Sequence, residues 1–121
     1  MNITNKTVLI TGANRGIGRA LLDEALRRGA KKVYAGTRSA LQHSDKRVTP
    51  LTLDVTSASQ IQRAVDEVDT LDVLINNAGI AIYDDLSKLD MIEQHLAVNL
   101  LGLLKVRAAI LSFRAQRAAG A

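Results

Sequence analysis

The segment Thr11-Gly12-Ala13-Asn14-Arg15-Gly16-Ile17-Gly18 places three glycines where a backbone could meet a phosphate. It follows a short apolar run and opens a helical pattern, so unpaired N–H groups and the positive end of a helix dipole face the turn. That is where a pyrophosphate binds. Glycine suits these positions because the chain turns sharply, lets backbone approach phosphate closely and packs the helix on a sheet. A side chain at Gly16 or Gly18 is expected to intrude. The spacing GxxxGxG alone is a weak signal, and a glycine turn without a ligand is the plain alternative. The flanking strand and helix patterns favour binding.

A second group of residues bears on which dinucleotide would bind. A site for NAD places Asp or Glu about 20 residues beyond the glycines, on the adenosine 2'-hydroxyl. Here the corresponding run is Ala35-Gly36-Thr37-Arg38, with no acid. Arg38 offers a planar guanidinium that can pair bidentately with a 2'-phosphate, and Arg15 in the glycine turn can reach the same group. The pair points to NADP, with NAD less favoured; two solvated surface arginines are the alternative reading. His43 and His95 stand alone without carboxylate or cysteine at ligand spacing, so no metal site is expected.

These groups need elements to position them. Thr7 to Ile10 is a β-branched, apolar run and reads as the first strand. A helix from Ile17 to Arg28 repeats apolar residues at Ile17, Leu21, Leu22, Ala25 and Leu26, and Gly29 stands where a C-terminal glycine belongs. A second strand over Lys32 to Thr37 follows. A polar connection with one helical turn around Ser39 to His43 leads to a third strand over Arg47 to Leu53. Ser57 caps a helix with Ile61, Ala64, Val65 and Val68 inward, before a fourth strand from Leu71 to Ile75. Asn76-Asn77-Ala78-Gly79 ends it.

Alternating strands and helices imply an α/β fold with a parallel sheet, since parallel strands need crossovers that cover the faces. Right-handed crossovers then give a Rossmann-type arrangement of four strands, order 3-2-1-4, with flanking helices. Residues 86 to 118 contain no proline and read as one long C-terminal helix, apolar on more than one face between Leu96 and Leu104. A second copy of the chain is the expected cover for that extra face.

With 121 residues the chain fits a single dinucleotide-binding domain, and 47% apolar content is ordinary for a folded protein. The formal charge of +4 suits an anionic partner without naming it. Nucleic acid is not expected, because Tyr34, Tyr83 and Phe113 lie outside any basic run. No membrane association is expected either, since Lys105 interrupts the richest apolar stretch. The absence of cysteine leaves redox chemistry to a cofactor and fits a cytoplasmic protein.

Three ordered motifs together carry a family likeness: TGANRGIG after the first strand, Leu53-Asp54-Val55 after the third, and Asn76-Asn77-Ala78-Gly79 after the fourth. The chain resembles the first half of a short-chain dehydrogenase/reductase. The resemblance implies that Gly12, Asn14, Arg15, Gly16, Ile17, Gly18 and Arg38 surround the coenzyme phosphates. It implies that Asp54 accepts a hydrogen bond from the adenine amino group and that Val55 donates its backbone to the ring. Asn77, Ala78 and Gly79 would lie under a ribose. Read without that company, Asp54 is a strand-ending turn cap and the asparagine run a loop.

The family's chemistry is hydride transfer, with a tyrosine handling the substrate proton and a lysine four residues later lowering its pKa. Asn99 matches the family's helix asparagine that holds a relay water, although an asparagine bonded to helix backbone is the ordinary alternative. The remaining apparatus has no counterpart. Tyr34 is followed four residues later by Arg38 and Tyr83 by Ser87, and Ser112 falls in the long helix. The resemblance therefore implies an NADP-binding part of an oxidoreductase that is inactive alone. The alternatives are a non-enzymatic Rossmann scaffold dimerising through the long helix, and catalytic groups supplied by another chain.

Overall fold

A computed structural model of the chain describes residues 2–14 and 16–78, together with Arg107 and Leu111. Its four strands are β1 (Thr7–Thr11), β2 (Lys32–Thr37), β3 (Val48–Thr52) and β4 (Val73–Ile75). They form one parallel sheet in the order β3-β2-β1-β4, as the crossover rule predicts. Helix α1 (Gly16–Arg27) connects β1 to β2, and α2 (Ala58–Glu67) connects β3 to β4. Because the strand order reverses direction at β1 while crossovers keep one hand, the two helices must fall on opposite faces.

The pleat divides the core accordingly. Val8 and Ile10 of β1 join Val33 and Ala35 of β2 beneath Leu22, Ala25 and Leu26 of α1. The alternate residues Leu9 and Tyr34 face the other way, with Leu51, Leu53 and Val55, onto Ile61, Ala64, Val65 and Val68 of the second helical segment. All five residues of β1 are buried. This explains why the central strand reads as an unbroken apolar and β-branched run rather than an alternating one.

Local chemistry sets the helix ends. Gly29, at φ +85°, lets Ala30 N–H reach Ala25 O at 3.1 Å and Gly29 N–H reach Leu26 O at 3.0 Å, the paired bonds that close a helix C-terminus. Ser57 Oγ accepts from Gln60 N at 3.3 Å and caps α2. Both ends lie where the sequence places them.

The expected helical turn between Ser39 and His43 is absent. Just beyond it side chains occupy backbone donors: His43 Nδ1 accepts from Asp45 N at 3.0 Å, and Asp45 Oδ1 accepts from Arg47 N at 2.9 Å. Arg47 Nη1 then donates to Leu26 O and Ala30 O, tying this connection to the end of α1. Strand β3 is shorter than the expected span from Arg47 to Leu53, and β4 begins at Val73 rather than Leu71. Asp72 precedes β4 with its carboxylate accepting from Thr7 N at 2.9 Å, so it ends the strand pairing through its side chain.

Pro50 occupies the middle of β3. The neighbouring bonds fix its orientation: Arg47 O accepts from Val33 N, and Leu53 N donates to Thr37 O. Odd-numbered residues of β3 thus face β2, and Pro50 N faces the outer edge, where a missing donor breaks no ladder bond. The long helix expected over 86–118 lies outside the described residues, except that Arg107 and Leu111 are helical and exposed. No helix among the described residues is long and apolar enough to cross a membrane.

Two measurements test these contacts. Ser57→Ala should cost about 1 kcal/mol in urea unfolding through loss of the α2 cap. The Asp45 carboxyl is held at about 2, below its ordinary 3.8, mainly by its hydrogen bond with the Arg47 guanidinium. A depressed carboxylate stabilises the fold above its unfolded value and loses that effect as pH falls through the folded one. Stability of the Asp45→Asn variant should therefore fall less steeply than wild type between about pH 4 and pH 2, in denaturation followed by circular dichroism.

Candidate functional site

The carboxyl ends of all four strands share one edge of the sheet, and β1 is the point where strand order reverses. Open parallel sheets leave a crevice at that point. Thr11 and Gly12 leave β1 there, opposite Asn76, Asn77 and Ala78 leaving β4. Thr11 Oγ1 accepts from both Asn77 N and Ala78 N at 3.0 Å, and Asn77 Nδ2 donates to Gly12 O at 3.2 Å. These bonds hold the two segments together before any ligand is considered. Asn76 Oδ1, at the end of β4, is buried with no hydrogen-bond partner among the described residues.

The three glycines are required for different reasons. Gly12 has φ +67°, and a Cβ on it would lie 2.9 Å from Ala78 Cα. At Gly18 a Cβ would lie 1.8 Å from Gly12 O and 2.6 Å from Asn77 Nδ2, so helix and strand exit are in direct contact. Gly16 differs. Its φ is +58°, but a Cβ there meets no atom of the protein within 4 Å. Within the protein the need for glycine at this position is conformational, and the space above it is open, so an intruding side chain there would meet a ligand and not the fold.

Ile17 also departs from its expected place on the inward face of α1. It is 73% exposed, whereas Gly18, the next residue, is buried against the exit of β1. An apolar side chain is thereby left at the rim of the crevice. Helix α1 carries no acidic residue in its first turn, so its positive end is not neutralised from within.

At the end of β2, Thr37 Oγ1 donates to Ser39 O, and Asn14 Nδ2 donates to Ser39 Oγ at 3.1 Å. Ala13 N–H reaches Gly36 O at 3.2 Å. The glycine turn and the Thr37-Arg38-Ser39 turn are therefore one bonded unit, with Arg38 exposed upon it. At the end of β3, Asp54 Oδ1 accepts from Thr56 N at 2.9 Å and from Thr56 Oγ1 at 2.7 Å. Gln60 Oε1 accepts from Asp54 N at 2.8 Å. The Thr56 hydroxyl is the main cause holding the Asp54 carboxyl below its usual range, followed by the Thr56 N–H; partial burial opposes them and the Arg38 charge assists. Val55 is buried in the core behind it.

The structure thus brings Gly12, Asn14, Gly16, Ile17, Gly18, Arg38, Asp54, Val55, Asn77 and Ala78 to one edge. Arg15, Gly79 and Asn99 lie outside the described residues, as do Tyr83, His95 and Ser112. Sequence reading missed the roles of Thr11, Ser39, Thr56 and Gln60. Of these, Thr56 carries a readable sign, because a hydroxyl residue two positions after an aspartate is the spacing of a side-chain-closed turn. Among the described residues, no group of three or more His, Asp or Glu side chains could hold a metal.

Comparison with known proteins agrees with this geometry. The family model described as short chain dehydrogenase matches residues 6–121. An oxidoreductase of Botryotinia fuckeliana is 34% identical, covering 95% of this chain and 46% of that protein. A crystal structure of a short chain dehydrogenase from Burkholderia cenocepacia, in complex with NADP, is 34% identical with a TM-score of 0.87, covering 93% of this chain and 50% of that one. A short chain dehydrogenase from Leptospira borgpetersenii with bound NAD+ has a TM-score of 0.85 at 22% identity, a likeness of fold alone, and covers 96% of this chain and 48% of that one. The chain spans about half the length of these relatives.

The contrast between glycines gives a direct test. Gly18→Ala should destabilise the fold by roughly 2–4 kcal/mol, since backbone must move to admit the methyl group. Gly16→Ala should cost only about 1 kcal/mol, the strain of a left-handed alanine. Urea denaturation of both variants checks the order, and equal losses would contradict the contact between α1 and the β1 exit.

Proposed function

This chain belongs to the short-chain dehydrogenase family, and we propose that its carboxyl edge is the adenosine and pyrophosphate part of an NADP(H) site in an oxidoreductase. The observation that carries the reading is the glycine turn. Two glycines with positive φ hold the N-terminus of α1 over the switch point, and the third lets the helix touch the strand exit. Backbone N–H groups at that end, with no internal acid to neutralise them, suit a pyrophosphate. The exposed Ile17 offers apolar cover at the rim.

The preference for NADP over NAD rests on Arg38, with Arg15 as its sequence partner. A structural neighbour at 34% identity is in complex with NADP, which is consistent with this choice. No acid ends β2, and the Thr37-Arg38-Ser39 turn is pinned to the glycine turn through Asn14. Pinning the turn fixes the backbone from which the exposed Arg38 guanidinium can pair with a phosphate. Asp54, nearby and kept ionised, would accept from the adenine amino group.

Bound coenzyme would supply the hydride chemistry of the family. These residues bind and orient it, and Asn99 is the one residue here proposed for the proton relay. The sequence holds no tyrosine followed four residues later by lysine, so hydride transfer by these 121 residues alone is not expected. Association of two copies through the C-terminal segment is proposed from its sequence alone, in which apolar residues between Leu96 and Leu104 fall on more than one helical face.

Calorimetric titration with NADPH and NADH tests the reading. Wild type should bind NADPH saturably and more tightly than NADH. Arg38→Asp should weaken NADPH binding by about 10- to 100-fold, the loss expected for a charge-assisted pair, while sparing NADH. Gly16→Val should weaken both. Folded wild-type protein that binds neither coenzyme would refute the proposal.

A further inference from the structure

Asp54 is held by more partners than a turn requires. Its backbone N–H donates to Gln60 Oε1 at 2.8 Å, its carbonyl accepts from Ser57 N at 2.9 Å, and Oδ1 accepts twice from Thr56, at 2.9 Å from N and 2.7 Å from Oγ1. An Asx-type turn needs only the bond from the Thr56 N–H. The second bond, from the hydroxyl, fixes the plane of the carboxylate and occupies the remaining capacity of Oδ1. Oδ2 receives no hydrogen bond from any described residue and is therefore the acceptor left for an external donor.

We infer that Thr56 is a positioning residue for base selectivity: its hydroxyl locks Asp54 as a one-sided acceptor that admits an amino-purine and rejects an oxo-purine. The inference rests on the coenzyme reading above and deepens it. An ionised carboxylate can only accept. It pairs with the exocyclic N–H of adenine, whereas the carbonyl oxygen of hypoxanthine in the same place sets two acceptors against each other. Discrimination depends on how firmly the carboxylate is held, since a rotating group can turn Oδ2 away from an oxo-purine without penalty. The Arg38 charge lies close enough to favour the ionised form of Asp54, which keeps the acceptor role fixed. Thr56 itself is exposed and contributes nothing to either core.

The test compares binding of NADPH with that of reduced nicotinamide hypoxanthine dinucleotide phosphate by calorimetry, on wild type, Thr56→Val and Thr56→Ser, each first checked for folding by circular dichroism. Wild type should favour the adenine coenzyme by about tenfold or more, as a site built for a donor does. Thr56→Val, which keeps the N–H bond and loses the hydroxyl, should reduce that ratio by about three- to tenfold, the worth of one hydrogen bond. Thr56→Ser should restore it. A residue that merely closes the turn would weaken both coenzymes alike, so an unchanged ratio in Thr56→Val overturns the inference. Equal binding of both coenzymes by wild type also overturns it, while leaving the coenzyme site standing. Failure of folded wild type to bind either overturns the coenzyme reading itself.

Discussion

The approach of α1 to the exit of β1 is the constraint on which the rest depends. A hydrogen atom is all that fits between Gly18 and the carbonyl of Gly12. At that separation the helix packs directly on the strand exit, and its N-terminus is carried over the strand end. Asn77 completes the contact from the third side, donating to the same carbonyl. One carbonyl oxygen therefore fixes a helix, the central strand and the segment leaving β4, elements far apart in the chain.

The opposite demand, open space, is met by polar side chains bonded to one another and to the backbone of neighbouring turns. Thr11, Asn14, Ser39 and Thr56 each spend a hydroxyl or amide on a neighbouring turn. A loop edge built this way keeps its shape without a ligand, so less ordering is left for binding to drive. The two apolar cores lie behind this edge, on either face of the sheet, and bear on it only through the strands they hold.

Much of this was legible in the sequence because the signals are local. A strand buried on both faces shows as a continuous apolar run, Gly29 and Ser57 mark helix ends by their own chemistry, and crossover handedness leaves few strand orders. Arg38, the basic residue after β2, could be found by counting from the glycines. The missed features join residues distant in sequence or spend side chains unexpectedly. No periodicity shows that Asn14 will bond Ser39, or that His43 and Asp45 will occupy the backbone donors leading into β3. Ile17 shares the helical spacing of the inward residues yet is exposed, because spacing alone treats the first turn of a helix like any other.

Pro50 gives the sheet a direction. Its nitrogen sits at the centre of the outward side of β3, where a further strand would look for a donor and find a ring instead. Strand addition at that side would leave a gap in the ladder at its middle, so the covalent chemistry of one residue disfavours pairing there. Any extension of the sheet, by more of the same chain or by another molecule, is directed to the side of β4, next to the crevice.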